Sequence, residues 1–269
     1  MRNLIRADIY RILRGKGIYI IFAVILAVII LGVTVNVAMV NIVTEDGVSA
    51  PLGIEVYGGA DGFVSAAGVL FSSMEQLVFI LLALVLVVVE PIFSNGTVKN
   101  DIARGISRTK LYLSKLFICC VLSVLMYLIY IGGGMLLYVI INGFGTNPVP
   151  TDFWITFLQA IGAQLLIFFA IANFALFLIF TTKREGVVIG IFIAFLLVPT
   201  MVLNLITVFW DADLALMFAN FDLTSSLGRL GFLNQLETHE ILTVLGIGVS
   251  YILVSLTLGL TSFRKAEIK

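Results

Sequence analysis

The residues of this sequence that could do chemistry lie mainly in one short charged segment between two apolar runs. That segment, residues 94–115, reads SNGTVKNDIARGISRTKLYLSK and contains five basic residues and one acidic residue. Glu90 lies just before it, close to the end of the preceding apolar run. Hydroxyl and charged groups in this pattern suit ion pairing and the docking of a partner, and they form no recognisable catalytic set.

The patterns that mark common catalytic sites are missing from the sequence. It has no G-x-x-x-x-G-K-[ST], so any nucleotide held in the P-loop manner must be bound by another chain. It also lacks H-E-x-x-H and G-x-S-x-G, which argues against a metalloprotease and a serine hydrolase. His239 is the single histidine, and the two cysteines, Cys119 and Cys120, are neighbours in an apolar run. We therefore predict no catalytic residue, no metal site and no enzymatic activity.

Lipid must be the solvent for most of the elements that position these residues. The chain has 269 residues, of which 61% are hydrophobic and 12% are charged, whereas a soluble domain carries about 25% charged residues. A spanning helix needs about 20 mostly apolar residues. The sequence predicts an all-α membrane protein, a single transmembrane domain over residues 1–269, with spans near 18–41, 76–93, 116–141, 155–180, 186–209 and 241–262.

The basic residues predict the orientation of these spans. Of the 16 lysines and arginines, 15 lie in the N-terminal segment, the second and fourth connections, and the C-terminal tail. Basic residues mark the cytoplasmic side of a membrane protein. We therefore expect an even number of spans, with both termini in the cytoplasm.

Residues 1–17 predict an amphipathic helix that lies in the membrane interface before the first span. Its predicted apolar face contains Ile5, Ile9, Ile12 and Leu13. Its polar ridge contains Arg6, Tyr10 and Arg14.

Of the external connections, residues 42–75 form a long, glycine-rich loop, and residues 210–240 mix apolar and polar residues. For the latter we expect short interfacial or re-entrant helices before the last span.

The charged segment itself predicts two helices joined by a turn. Residues 97–104 suit a short helix, Gly105 suits a left-handed stop, and Ser107 can cap a new helix that continues into the third span. The sequence leaves two interpretations of this segment open. It is either a compact, structured element that docks on a cytoplasmic partner or a solvated basic loop that only sets topology.

Glu90 is a second candidate for a mechanical role. A carboxylate within a span is unfavourable, less so near the ends, and it could snorkel or pair with Arg104, Arg108 or an arginine of the first helix. We hypothesise that Glu90 ties the charged segment to the spans. The alternative is an ion pair with a purely structural role.

The charged segment resembles the membrane subunits of ABC-2 type ABC exporters. In that family a G-T-[IV]-K-N stretch leads to G-x-S-R and then to Y-L-S-K-L. The matching positions here are Gly96, Thr97, Val98, Lys99, Asn100, Gly105, Ser107, Arg108, Tyr112, Leu113, Ser114, Lys115 and Leu116. The six spans, the basic N-terminal helix and the short external helices also match the family's architecture.

The resemblance implies a bacterial plasma-membrane permease that pairs with a second permease, identical or related, and with two ATPase subunits. ATP and Mg²⁺ would be used by the ATPase, and no cofactor would be bound by this chain. The expected substrate is apolar or amphipathic, such as a lipid-like compound, an antibiotic or an antimicrobial peptide. The alternative is a membrane scaffold or sensor that recruits a cytoplasmic partner without transport. The residues implied in coupling are Gly96, Thr97, Lys99, Asn100, Asp101, Arg104, Gly105, Ser107 and Arg108. Glu90 is added as a supporting residue on the separate hypothesis above.

Overall fold

Most of the residues that the computed structural model describes are helical, and the described residues are 2–46, 62–94, 96–145, 149, 151–209, 218–219, 221–231 and 238–265. Within these residues there is no β-strand. The helices, numbered in chain order, are α1 (Arg2–Arg14), α2 (Lys16–Asp46), α3 (Gly62–Ser72), α4 (Met74–Ser94), α5 (Thr97–Ala103), α6 (Arg108–Asn142), α7 (Thr151–Thr182), α8 (Glu185–Phe209), α9 (Leu223–Arg229) and α10 (Thr238–Lys265).

Six helices are long and apolar enough to cross a membrane, namely α2, α4, α6, α7, α8 and α10. They coincide with the six spans predicted from the sequence, which confirms six long apolar helices among the described residues and indicates a multi-pass membrane protein. The longest, α6, has 35 residues and is therefore about 52 Å long at 1.5 Å per residue. A hydrocarbon layer is about 30 Å thick, so a part of α6 must project beyond it.

The bundle is organised around α7, which packs most extensively on α10. In the most apolar stretch of α7, 61% of the residues are buried inside the protein, whereas in the corresponding stretch of α8 only 17% are buried. The outward side chains of α8 are apolar and include Leu197, Met201, Leu205 and Phe209. An apolar outer surface of this kind is what a helix needs where it faces lipid or another membrane subunit.

The helix α3 corrects one expectation, since residues 42–75 were predicted to form a loop. Residues 62–72 are helical, and Ala66, Leu70 and Phe71 are buried. The close approach of α3 to α6 requires Gly134, where a Cβ atom would overlap Leu70. The glycine-rich composition concealed this helix, because its small residues are used for close packing rather than for a turn.

The short helix α9 confirms that residues 210–240 contain helical structure before the last span. Asp222 caps it, with Oδ2 accepting hydrogen bonds from the backbone N–H of Ser225 at 3.1 Å and from the Ser225 hydroxyl at 2.7 Å. Residues 47–61, 210–217, 220 and 232–237 lie outside the described residues, so the rest of both connections stays a prediction. Whether α9 is interfacial or re-entrant also stays a prediction.

Candidate functional site

The short helix α5 presents its charged residues outward. Val98 is 4% exposed and anchors the helix against the bundle, while Lys99, Asn100 and Arg104 are exposed. The hydroxyl of Thr97 donates a hydrogen bond to the carbonyl of Ile92, at 3.2 Å, and so ties the start of α5 to the end of α4. The result is a short helix, containing one lysine and one aspartate and followed by Arg104, with one buried side and one exposed side.

The turn after α5 has the geometry predicted from the sequence. Gly105 has a φ of +83°, in the left-handed region that favours glycine. The backbone N–H of Gly105 donates to the carbonyl of Ile102 at 2.9 Å, and that of Ile106 donates to the carbonyl of Asp101 at 3.1 Å. These bonds satisfy the last carbonyls of α5, so the direction in which the chain leaves the helix is defined.

Ser107 caps the next helix, α6, as predicted. Its side chain accepts a hydrogen bond from the backbone N–H of Lys110, at 3.4 Å. With this cap in place, α6 begins at Arg108, eight residues before the predicted third span. The start of α6 therefore extends the span down to α5 without an intervening flexible loop.

Arg108 lies apart from the exposed face of α5. Its Nη1 atom donates hydrogen bonds to the backbone carbonyls of Phe263 at 3.3 Å and Arg264 at 2.8 Å. Those carbonyls are in the last turn of α10, where a helix has no donors of its own. The outward surface of the segment thus includes Lys99, Asn100 and Arg104, and Arg108 belongs to the contact between α6 and α10.

A buried ion pair joins the N-terminal helix to α6. The Nζ atom of Lys115 lies 2.5 Å from Oδ1 of Asp8, and the residues are 1% and 7% exposed, respectively. Arg11 adds a second cation, with its Nη2 atom 3.4 Å from the same oxygen and 3.5 Å from the carbonyl of Val88. These contacts fix α1 against both α6 and α4.

Asp8, the one acidic residue among the first 17, was not among the residues predicted to be functional. A usable signal was present, because Asp8 lies three residues after Ile5 and four before Ile12, on the same face of the helix. In the structure Ile12 is buried, whereas Ile9 and Leu13, assigned to that apolar face, are 44% and 57% exposed. The face that packs on the protein therefore includes a carboxylate.

Glu90 lies beside another acidic residue rather than beside an arginine. Its carboxyl group is within hydrogen-bonding reach of the carboxyl group of Glu185, at the start of α8. Both residues line a cleft of about 480 Å³ that lies between α4, α5 and the turn from α7 to α8. The cleft is lined by Glu90, Ile92, Phe93, Ser94, Gly96, Val98, Lys99, Ile179, Lys183 and Glu185.

The structure thus brings together the end of α4, α5, the start of α6, α1 and the end of α10. We call this region the basic end of the molecule. Its groups form ion pairs, helix caps and hydrogen bonds, which hold helices in place and can bind a partner. Among the described residues, no group of three or more histidine, cysteine, aspartate or glutamate side chains is placed to hold a metal ion.

Comparison with known proteins identifies a family. Residues 52–269 match the model of a family described as "Protein of unknown function (DUF2705)". The match includes the charged segment and five of the six candidate spans. No curated protein matches the chain.

Proposed function

We propose that this chain, which belongs to the DUF2705 family, is the membrane-spanning subunit of an ABC exporter. In this proposal α5 is the coupling helix, which docks on a separate ATP-hydrolysing subunit in the cytoplasm. The ATPase binds ATP and Mg²⁺, and the chain itself forms the path across the membrane. Two permease subunits, identical or related, would assemble with two ATPase subunits.

The observation that carries the proposal is the way in which α5 is anchored to the bundle and connected to α6. A topology signal needs only positive charge on one side of the membrane, and a disordered loop would supply it. Instead, Val98 anchors the helix, Gly105 and Ser107 define its exit, and Lys99 and Arg104 remain outside. A rigid connection with an exposed charged surface is what force transmission from a partner requires.

The N-terminal helix supports the same architecture. While Ile12 and Asp8 face the protein, the exposed side of α1 carries Ile9, Tyr10 and Leu13. Arg6 and Arg14 are exposed among these side chains, and Lys16 is exposed just beyond the end of the helix. Exposed apolar side chains together with basic residues favour a helix that lies in the membrane interface, with its charges near anionic headgroups.

An apolar cavity supports the proposed substrate class. It has a volume of about 380 Å³, which is in the range of small-molecule sites, about 300–1,000 Å³. Pro199 lies in its wall and, lacking an N–H, leaves the carbonyl of Phe195 without its usual intrahelical donor. The lining residues are Phe195, Pro199, Val202, Leu203, Ile206, Phe218, Phe221, Asp222 and Tyr251. Such a lining favours an apolar or amphipathic substrate.

Charge reversal on α5 tests the docking role. We expect Lys99→Glu and Arg104→Glu each to reduce the amount of ATPase that remains with the membranes, because both residues lie on the exposed surface. Lys265→Glu, which reverses an exposed charge at the end of α10, serves as the matched control and should retain the ATPase. Retention by both α5 variants would contradict the docking role.

The same preparation separates an exporter from a scaffold or sensor. An exporter complex should show ATP hydrolysis that increases with substrate and a conformation that depends on bound nucleotide. A complex that holds the ATPase firmly but shows neither property would favour the scaffold.

A further inference from the structure

The start of α6 is attached to α10 by hydrogen bonds in both directions. Arg108 donates to the last carbonyls of α10, and the Nε atom of Arg264 donates in return to Oγ1 of Thr109, at 3.1 Å. The guanidinium group of Arg108 also brings a positive charge to the C-terminal end of α10, which is the negative end of its helix dipole. The contact between α6 and α10 is therefore stabilised by directed hydrogen bonds and by a charge–dipole interaction as well as by apolar packing.

A second attachment lies one turn further along α6, at Tyr112. The side chain is fully buried, and its ring packs edge-on against Phe180, with ring centroids 4.9 Å apart. Phe180 packs in turn on Phe263 of α10, at 4.7 Å. Gly259 of α10 makes room for the phenol, because a Cβ atom there would overlap the ring and the hydroxyl of Tyr112.

The Tyr112 hydroxyl also joins a hydrogen-bonded group between α7 and α10. It donates to Oδ1 of Asn173 at 3.5 Å. The Nδ2 atom of Asn173 donates to the carbonyl of Ile252 at 3.0 Å and to the hydroxyl of Ser255 at 2.9 Å. Asn173 is 1% exposed and both of its polar atoms are paired, so it fixes three helices in one arrangement.

Two attachments on one side of α6 resist relative tilting as well as sliding. Arg108 and Tyr112 are four residues apart and hence about 6 Å apart along the helix axis. A single contact would let α10 pivot, whereas two contacts at this separation make the ends of α6 and α10 move together. The turn at residues 104–107 connects this unit directly to α5.

We infer that Arg108 and Tyr112 are positioning residues that make the end of α10 follow the start of α6. The inference rests on the proposed function, in which a partner ATPase displaces α5. The displacement passes through the capped turn into α6 and, by these two attachments, into α10. The position of α10, the last span, therefore changes with the nucleotide that is bound to the partner ATPase.

Hydrogen–deuterium exchange on the full-length chain, purified with its ATPase and placed in lipid nanodiscs, tests this inference. In the unaltered complex we expect ATP to change deuterium uptake both in peptides from residues 97–107 and in peptides from residues 252–265. The double variant Arg108→Gln/Tyr112→Leu, which removes the ring and its hydroxyl but keeps an apolar side chain, should keep the first change and lose the second. The matched control is Lys110→Gln, which alters an exposed cation in the same turn of α6 and should keep both changes.

Each result has a defined meaning. If the double variant keeps the ATP-dependent change in residues 252–265, the inference is wrong while the proposed function stands. If the unaltered chain retains no ATPase, the proposed function is wrong and the inference falls with it. If the double variant does not fold, Arg108→Gln and Tyr112→Leu are compared singly, and an unaltered α10 response in both overturns the inference.

Discussion

Replacing Lys115 with methionine tests whether the buried ion pair with Asp8 holds the N-terminal helix against α6. Methionine keeps the length and apolar character of the lysine stem but removes the ammonium group. Asp8 would then keep a carboxylate that is 7% exposed and has lost its nearest cation. The Oδ2 atom of Asp8 already has no hydrogen-bond partner among the described residues, so the protein offers little to compensate for the loss.

The magnitude follows from the geometry of the site. Removing one member of a buried ion pair destabilises a protein by about 3–5 kcal/mol. Arg11 remains 3.4 Å from Asp8, and its side chain is 38% exposed, so its charge is partly screened by water. We therefore expect the lower limit, about 3 kcal/mol. In domains of 150–250 residues, a loss of about 1 kcal/mol lowers the Tm by about 2–4 °C, so we expect the Tm to decrease by about 6–12 °C.

The assay is thermal unfolding of the full-length chain in nanodiscs, with Lys110→Met as the matched control. Lys110 is an exposed lysine of the same helix, and we expect its replacement to change stability by less than about 0.5 kcal/mol. The double variant Asp8→Asn/Lys115→Met leaves no buried charge at this pair, because the Arg11 side chain that stays behind is 38% exposed to water, and it should be less destabilised than either single variant. Equal Tm values for Lys115→Met and Lys110→Met, or losses in the double variant equal to the sum of the singles, would refute the reasoning.

Three further changes test the architecture around the site. Ser107→Ala should destabilise the chain by about 1 kcal/mol through loss of the α6 cap, seen as a lower Tm, and Ser107→Asp should restore it; no difference between the two would contradict the cap. Gly134→Val should cost about 1–3 kcal/mol because it overlaps Leu70, whereas Gly132→Ala meets no neighbouring atom and should leave the Tm unchanged or higher. Glu90→Gln should reduce substrate-stimulated ATP hydrolysis if Glu90 supports coupling, and unchanged hydrolysis and transport would remove that role.

Local signals in the sequence were sufficient for the spans and for the elements of the charged segment. Hydropathy places a helix because spanning the bilayer requires a continuous apolar run. Gly105 and Ser107 mark the turn because only a few residue types suit a left-handed stop or a helix cap. These features depend on neighbours in the chain, so one sequence contains the necessary information.

The contacts that unite the basic end depend on residues far apart in the chain, and the sequence did not reveal them. Asp8 and Lys115 are separated by more than one hundred positions, and Lys115 is indistinguishable in sequence from the basic residues that set topology. For Glu90 the sequence left open whether the carboxylate snorkels or pairs with an arginine, and the packing of α8 brings Glu185 to it. The identity of such partners is decided by helix packing, which the hydropathy of each span does not encode.

Affinity purification of the full-length chain from its native membrane, followed by identification of the retained proteins by mass spectrometry, tests the central claim most directly. The proposal predicts a P-loop ATPase that is retained by the unaltered chain and lost on charge reversal at Lys99 or Arg104. Recovery of the chain in intact, folded form without any such ATPase would contradict the claim that it is the membrane subunit of an ABC exporter.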